Sequence, residues 1–233
     1  MTAPLAIVAA MHQELAAVLR LLPDEYKTVV AGREFWRGHL HGHEVIAVLS
    51  RIGKVAAATT ATALIEHFGV RQIVFTGVAG GLGPSVRVGD VVVADAFLQH
   101  DLDASPIFPR HEVPLYGCSR FSTDPTRTQR LADAARQALP GAALHRGLIV
   151  SGDRFVSTTT EARALQAELP DALAVEMEGA AFAQVCHDFG VPLAVVRTVS
   201  DRADDAAHVD FPKFLREVAS RYSGAVIEAL FNH

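Results

Sequence analysis

The sequence has little of what several large classes of protein require. Its two cysteines, Cys118 and Cys186, are too few for a disulfide framework or a cysteine metal cluster, so we expect a cytoplasmic protein without a metal. The 21 Lys and Arg against 26 Asp and Glu leave a net charge of −5, which argues against a nucleic-acid partner. No uncharged apolar stretch approaches the ~20 residues of a membrane-spanning helix, and no basic start precedes the first apolar run. We therefore expect no membrane contact and no targeting segment.

The apolar content, in contrast, is high. Half of the 233 residues are apolar, which suffices for a large core without covalent staples. No linker rich in Pro, Gly or Ser, no repeat and no low-complexity tract interrupts the chain. The sequence therefore predicts a single domain over residues 1–233.

Short apolar runs alternate with amphipathic stretches along the chain. Strands are predicted at 5–10, 28–31, 45–49, 72–76, 91–94, 147–151, 172–175 and 193–199, and helices at 13–22, 55–68, 125–139, 178–189 and 211–230. This alternation requires crossover connections. It predicts an α/β fold of three layers, with a mixed, largely parallel sheet covered by helices on both faces.

Acidic residues directly follow two of the apolar runs, at the end of the strand where ligands bind in such sheets. Glu14 follows the first strand, where an acid is typically a helix N-terminal cap. Glu176 and Glu178 follow the strand at 172–175 and precede a buried helix. Because buried acids are costly unless they form hydrogen bonds, this pair favours a hydroxyl-rich or cationic ligand.

The last strand carries two further charges. Arg197 interrupts a very apolar run and requires a carboxylate partner, for which Glu14 and Glu178 are candidates. Asp201 follows the strand and has the position of a general acid with a raised pKa, a structural salt bridge being the alternative. The sequence thus predicts a cluster of Glu14, Glu178, Arg197 and Asp201. Cys186 falls inside a helix and is predicted to be core.

A glycine-rich segment, TGVAGGLG at 76–83, follows a buried strand. Glycines allow the close approach of a ligand, so the segment resembles a phosphate cradle. However, a Walker A loop requires Lys-Ser/Thr after the last glycine, and Pro84-Ser85 stands there instead. A tight turn without a ligand explains the glycines equally well.

Several segments resemble the bacterial 5′-methylthioadenosine/S-adenosylhomocysteine nucleosidases, which belong to the nucleoside phosphorylase superfamily. They extend over nearly the whole chain: AAMHQEL, SRIGKVAAATTATALIEHF, FTGVAGGLGPSVRVGDVVVAD, LIVSGDRFV, AVEMEGAAFAQVCHDFGVPLAVVRTVSD and HVDFPKFL. The order and spacing of VEMEGAA and RTVSD are the most specific. The resemblance implies a nucleoside phosphorylase-like fold and hydrolysis of an N-glycosidic bond, which releases adenine and a 5-thio-ribose, without a cofactor.

The resemblance also implies catalytic roles for the acidic cluster. Asp201 would protonate N7 of the leaving adenine. Glu14, with Arg197, would hold the attacking water. Glu178 and the backbone of Met177 would bind the ribose hydroxyls.

Further residues would form the walls of the substrate site. Phe155 would stack on the purine, and the main chain of Val156 would bind its Watson–Crick edge. Met11, Ile52 and Phe211 would enclose the ribose and the 5′-alkylthio group. The other predicted substrate contacts are Val78, Ala79, Gly80, Glu176, Ser200 and Phe108.

The resemblance further implies a homodimer, in which the loop at 100–110 reaches the 5′ pocket of the neighbouring subunit through Ile107 or Phe108. Val78 stands where many of these nucleosidases have Ser. Four 5′ groups are compatible with the sequence: those of methylthioadenosine, adenosylhomocysteine, 5′-deoxyadenosine and aminodeoxyfutalosine.

Two alternatives to a nucleosidase are open at this stage. One is a phosphate-dependent purine nucleoside phosphorylase, for which the segment at 75–78 lacks the Arg and Ser of a phosphate site, although Arg51 is a nearby cation. Glu14 would also repel phosphate, so water is the better nucleophile. The other is a non-catalytic nucleoside-binding protein with the same fold.

Overall fold

The computed structural model describes residues 3–232, apart from the side chains of residues 209, 210, 212, 216 and 217. Ten strands are present in the described part: β1 Leu5–Ala9, β2 Tyr26–Val30, β3 Arg33–Leu40, β4 His43–Leu49, β5 Gln72–Gly81, β6 Val91–Gln99, β7 Arg120–Ser122, β8 Leu144–Ser151, β9 Ala172–Glu176 and β10 Leu193–Asp201. The helices are α1 His12–Leu19, α2 Lys54–Glu66, α3 Pro125–Ala138, α4 Thr159–Glu168, α5 Gly179–Phe189, α6 Ala207–Phe214 and α7 Ser220–Phe231, with a π-helical segment Leu215–Ala219 between the last two.

The strands form one mixed sheet, in which nine have the order β10-β6-β8-β9-β5-β1-β4-β3-β2 and β7 pairs with β6 beside them. Parallel pairing joins β4, β1, β5 and β10, and separately β6, β8 and β9. Because β10 pairs with β5 as well as with β6, the strands β5, β9, β8, β6 and β10 close into a ring. This closure brings the ends of β5, β9 and β10 together.

Helices cover both faces of the sheet, which confirms the predicted α/β fold. Helices α2 and α5 pack against each other over one apolar core, and α1, α3 and α7 pack over the other. Cys186 is buried in the first core, and burial raises the pKa of its thiol to about 12. No helix within residues 3–232 is long and apolar enough to cross a membrane.

The principal difference from the prediction lies in the glycine-rich segment. It is not a loop, because β5 continues from residue 76 to Gly81 and pairs with β10 and β9 along this length. β10 likewise continues to Asp201, two residues beyond its predicted end. The closing helix begins at Ala207 rather than at 211, so Phe211 lies in its second turn.

Three elements were not predicted from the sequence: the short strand β7, strand β3 and helix α4. Strand β3 contains Arg33, Arg37 and His39 and therefore lacks an apolar run. Helix α4 has no buried residue and so has no apolar stripe. Its one sequence signal is the pair Thr158 and Glu161, in which the Thr158 hydroxyl accepts a hydrogen bond from the Glu161 N–H.

Candidate active site

A cavity of about 530 Å³ lies where β1, β5, β9 and β10 end. Residues from these strand ends, from the start of α2, from the loop after β8 and from α6 line it: Ala10, Met11, Ile52, Val78, Ala79, Gly80, Phe155, Val175, Glu176, Met177, Glu178, Ser200, Asp201, His208 and Phe211. Most of the lining is apolar, so charges inside it are poorly solvated. Its volume is in the range of small-molecule sites.

The pairing of β5 with β10 explains two of the glycines. Gly77 pairs with Arg197, and Gly80 pairs with Asp201. A Cβ at Gly77 would lie 3.2 Å from Arg197 Nη1, and one at Gly80 would lie 3.0 Å from Asp201 Oδ1. The glycines therefore provide space for two charged side chains of the neighbouring strand, and not for a phosphate.

Arg197 forms its ion pair with Glu176, and not with Glu14 or Glu178 as predicted. The guanidinium is fully buried, its Nη2 lies 2.9 Å from Glu176 Oε2, and it stacks 4.0 Å from the Phe75 ring. Glu176 is the last residue of β9, so the sheet pairing, which cannot be read from the sequence, places its carboxylate beside Arg197.

The Glu176 carboxylate is bound on every side by protein donors. It accepts hydrogen bonds from the Ser151 hydroxyl and from the backbone N–H groups of Glu178 and Gly179, in addition to Arg197. These donors offset the cost of burying the charge. Glu176 lines the cavity, but its role as a substrate contact remains a prediction.

Glu14 is completely buried and does not line the cavity, but its hydrogen-bond partner Met11 does. Its Oε2 accepts a hydrogen bond from the Met11 N–H at 3.1 Å, which is the helix-capping role expected of an acid at this position. Its Oε1 is buried and has no protein hydrogen-bond partner. Burial raises the pKa of Glu14 to about 7, although the Arg197 charge and the Met11 N–H act in the opposite direction.

Glu178 lines the cavity at the start of α5. Its Oε1 accepts a hydrogen bond from the Gly53 N–H at 2.8 Å. Burial and the neighbouring Glu176 charge raise the pKa of Glu178 above its ordinary value. Its carboxyl oxygens lie at the cavity wall, where they can bind hydroxyl groups of a ligand.

Asp201 is held in one orientation by its neighbours. Its Oδ2 accepts a hydrogen bond from the Ser200 hydroxyl, and its Oδ1 accepts one from the Ala203 N–H, both at 2.8 Å. The side chain is almost completely buried at the cavity wall. The structure thus brings Asp201, Glu178 and Glu14 to one end of the sheet, as predicted.

The predicted purine-binding residues lie at one side of the cavity. Phe155 contacts Phe211 with its ring edge-on at a centroid distance of 5.6 Å. Val156 lines a small adjoining cavity of about 20 Å³ together with Arg154 and Phe155. Of the predicted contacts, Phe108 lies on neither cavity of this chain.

Sequence reasoning missed three lining residues, Ala10, Val175 and His208. Ala10 and Val175 have no chemistry that would distinguish them from core. His208 lies in the first turn of α6, where Asp204 accepts a hydrogen bond from the Ala206 N–H. Asp204 and Asp205 lie just before α6, and acids at this place are the sequence signal for a helix that begins at 207 rather than at 211.

Cations are scarce around the cavity. The described residues include no Lys or Arg on the main cavity, and Arg51 donates its guanidinium hydrogen bond to the Gly32 carbonyl. Among the side chains that the structure describes, no group of three or more His, Cys, Asp or Glu could hold a metal ion. The arrangement is one of acids around an apolar cavity.

Comparison with known families identifies the superfamily of the chain. The family described as the phosphorylase superfamily matches residues 4–232. The chain therefore belongs to the phosphorylase superfamily, which confirms the predicted nucleoside phosphorylase-like fold.

Within this superfamily, the chain is similar to solved 5′-methylthioadenosine/S-adenosylhomocysteine nucleosidases. The enzyme from Neisseria meningitidis, in complex with methylthio-immucillin-A, is 34% identical over 98% of each chain, with a TM-score of 0.93. The enzyme from Streptococcus pneumoniae, with the transition-state inhibitor MT-ImmA, is 35% identical over 98% of each chain, with a TM-score of 0.90.

A mutant of the futalosine hydrolase from Helicobacter pylori is similar to the same degree. It is 33% identical over 98% of each chain, with a TM-score of 0.91. The predicted family is therefore confirmed. The relatives support a nucleoside hydrolase that acts on a small-molecule nucleoside, and their names differ in the nucleoside: methylthioadenosine and adenosylhomocysteine in two, futalosine in the third.

Proposed function

We propose that this protein hydrolyses the N-glycosidic bond of 5′-methylthioadenosine and S-adenosylhomocysteine, releasing adenine and the 5-thio-ribose. The observation that carries the proposal is that Glu178 and Asp201 line one apolar cavity, while Glu14 is buried behind it and bonded to Met11 of the lining. The nearby buried cation, Arg197, is already paired with Glu176. Phosphate is bound most strongly by charged Arg and Lys side chains, and the described residues place none on the cavity wall. Water is therefore the proposed nucleophile.

In the proposed mechanism, Asp201 protonates N7 as the bond to adenine breaks. The Ser200 hydroxyl and the Ala203 N–H hold its carboxyl group at the cavity wall. Protonation neutralises the charge that develops on the leaving base, and general acid catalysis of this kind typically supplies ~10²–10⁴ in rate.

Glu14 activates the attacking water in this mechanism. Its Oε1 has no protein partner, and its pKa of about 7 matches that of a base that works at neutral pH. The Arg197 charge acts on Glu14 and helps to retain its ionised form.

Glu178 binds the ribose hydroxyls, together with the backbone of Met177. The sugar acquires oxocarbenium character in the transition state, and a nearby carboxylate stabilises that positive charge. Phe155 stacks on the purine, the main chain of Val156 binds its edge, and Met11, Ile52 and Phe211 surround the 5′ end.

The proposal includes a homodimer. Large apolar side chains are exposed on the loop after β6 and at the start of α2: Ile107 is 82% exposed, Leu115 92% and Val55 79%. A partner subunit that covers these side chains would remove them from water. We place Phe108 of this loop in the partner's 5′ pocket.

The test is adenine release in phosphate-free buffer, with a panel of nucleosides that differ only in the 5′ group. We expect release from methylthioadenosine and adenosylhomocysteine without phosphate, at higher kcat/KM than from 5′-deoxyadenosine or aminodeoxyfutalosine. Turnover that requires added phosphate would instead establish a phosphorylase. Tight binding of the panel without turnover would establish a binding protein.

A further inference from the structure

Helix α2 has no local cap at its N-terminus. The N-cap residue is Gly53, which has no side chain to bind the first amides. Two carboxylates from distant parts of the chain bind these amides instead. Glu178 Oε1 accepts the Gly53 N–H at 2.8 Å, and Asp153 Oδ1 accepts the Lys54 N–H at 2.7 Å. The amides of Gly53 and Lys54 are neighbours at one helix end. They therefore connect Glu178, which lines the cavity, to Asp153 in the loop after β8.

Asp101 completes a circuit of hydrogen bonds with the same residues. Its Oδ2 accepts the Asp153 N–H at 2.8 Å, and its Oδ1 lies 2.6 Å from Lys54 Nζ. We call Lys54, Asp101 and Asp153 the clasp. Lys54 Nζ also donates to Gln99 Oε1 at 2.9 Å, which fixes the ammonium at the end of β6.

Within the clasp, the ion pair of Lys54 and Asp101 is partly shielded from water, whereas Asp153 is exposed. The Lys54 side chain is 16% exposed and that of Asp101 is 31% exposed. Burial alone would raise the pKa of Asp101, but the hydrogen bonds from Lys54 and Asp153 outweigh it and lower the pKa below its ordinary value. The ion pair is therefore present at neutral pH and is better shielded from solvent than a pair at the open surface.

The backbone at Gly53 is fitted closely to the clasp. Gly53 has a φ of +93°, and a Cβ at this position would lie 3.1 Å from Asp153 Oδ1. Only glycine adopts this conformation readily. Asp153 binds the N–H of the next residue, Lys54. The position of the Gly53 N–H therefore depends on the position of Asp153.

We propose that Lys54, Asp101 and Asp153 are positioning residues that hold the Gly53 N–H against Glu178 and so set that carboxylate on the ribose hydroxyls. None of the three lines the cavity, so they act through the backbone and do not contact substrate. The clasp also joins this amide to the loop that continues into Phe155 and Val156. The inference rests on the proposed function, in which Glu178 binds the ribose.

The test measures how strongly the enzyme prefers a substrate with both ribose hydroxyls. The preference is the ratio of kcat/KM for methylthioadenosine to that for its 2′-deoxy or 3′-deoxy analogue. For Asp153→Ala, we expect this preference to fall about 10-fold, because the carboxylate that binds the hydroxyls is displaced. Asp153→Asn retains an oxygen that accepts the Lys54 N–H and should restore the preference to within about 2-fold.

Two further variants separate positioning from general destabilisation. Lys54→Met removes the ammonium but keeps the backbone amide, and it should also lower the preference, as Asp153→Ala does. Asp133→Ala removes an exposed acid that pairs with Arg136 on α3, and it should leave the preference unchanged. An unchanged preference in Asp153→Ala would overturn the inference, whatever happens to its overall activity or melting temperature.

Calorimetry with adenosine and 2′-deoxyadenosine or 3′-deoxyadenosine distinguishes failure of this inference from failure of the proposed function. If the wild-type protein binds these nucleosides and also binds methylthioadenosine without releasing adenine, the proposed hydrolysis is wrong. The affinity ratio compares binding of adenosine with binding of its deoxy analogue. A lower ratio in Asp153→Ala than in Asp153→Asn would still support the positioning role of the clasp. Equal ratios in the two variants would contradict it.

Discussion

At the scale of single residues, the site separates its acids by their environments. Glu176 is surrounded by donors and paired with Arg197, whereas Glu14 keeps one buried oxygen without a protein partner. Asp201 is bound by Ser200 and Ala203. Acids in distinct environments can perform distinct tasks in one reaction, and the following two predictions separate the tasks of Asp201 and Glu14.

Asp201→Asn tests the proton donor. The amide retains the shape of the side chain but cannot transfer a proton to N7, so we expect kcat to fall by about 10²–10⁴. Substrate affinity, measured by calorimetry, should change little because the cavity wall is preserved. Turnover close to that of the wild type would remove Asp201 from the proposed role.

Glu14→Gln tests the buried base through stability as well as activity. The folded pKa of about 7 exceeds the ordinary value of 4.5, so the folded protein retains a proton that the unfolded chain releases as pH rises between these values. Wild-type stability is therefore lost over this range, by about 3 kcal/mol once pH exceeds 7. The Gln variant lacks this loss.

We expect denaturant titrations to show Glu14→Gln gaining stability relative to the wild type from pH 4.5 to pH 7, while adenine release falls by orders of magnitude. The wild-type kcat/KM should rise with pH through about 7, as the base becomes ionised. A stability difference that is constant with pH would show that Glu14 does not retain its proton in the folded state.

At the scale of the elements, the strands near the site could be predicted, but their pairing could not. The apolar runs of β1, β5, β9 and β10 are visible in the sequence, and so are the acids that follow them. The register that sets Gly77 against Arg197 depends on contacts between residues far apart in the chain. For that reason, the glycines resembled a loop.

The same limit explains the other differences. The partner of Arg197 and the caps of α2 come from distant segments, and no local pattern indicates them. Helix α4 lies on the surface and leaves no apolar stripe. Local sequence signals were sufficient to predict a helix start where a neighbouring residue caps the helix. In α3, the Asp124 side chain accepts a hydrogen bond from the Arg127 N–H.

Gly80→Ala tests the role of the β5 glycines. The new Cβ would meet Asp201 Oδ1 and the Ala203 Cβ at 3.0 Å, and the buried Asp201 would have to shift. A displacement of the proton donor should lower kcat/KM by about 10²-fold. Gly141→Ala is the matched control, because a Cβ there meets nothing within 4 Å. Equal activity of the two variants would contradict this account of the strand.

At the scale of the whole molecule, the site of one chain is open to solvent. Phe155 is 42% exposed, and Phe108 lies on neither cavity of its own chain. A second copy that contributes its loop after β6 would cover the 5′ end of the cavity. In that case, each active site combines Asp201 of one chain with Phe108 of the other.

Mixing two variants that are defective in different parts of the site tests this arrangement directly. Phe108→Ala should raise the KM for methylthioadenosine, and Asp201→Asn should abolish turnover. In a dimer of one Asp201→Asn chain and one Phe108→Ala chain, the site with the intact Asp201 receives the intact Phe108. Equal mixing with subunit exchange should therefore restore about a quarter of the wild-type number of active sites, with wild-type KM. If Phe108 acts within its own chain or not at all, mixing restores nothing, and the KM in the mixture equals that of Phe108→Ala alone.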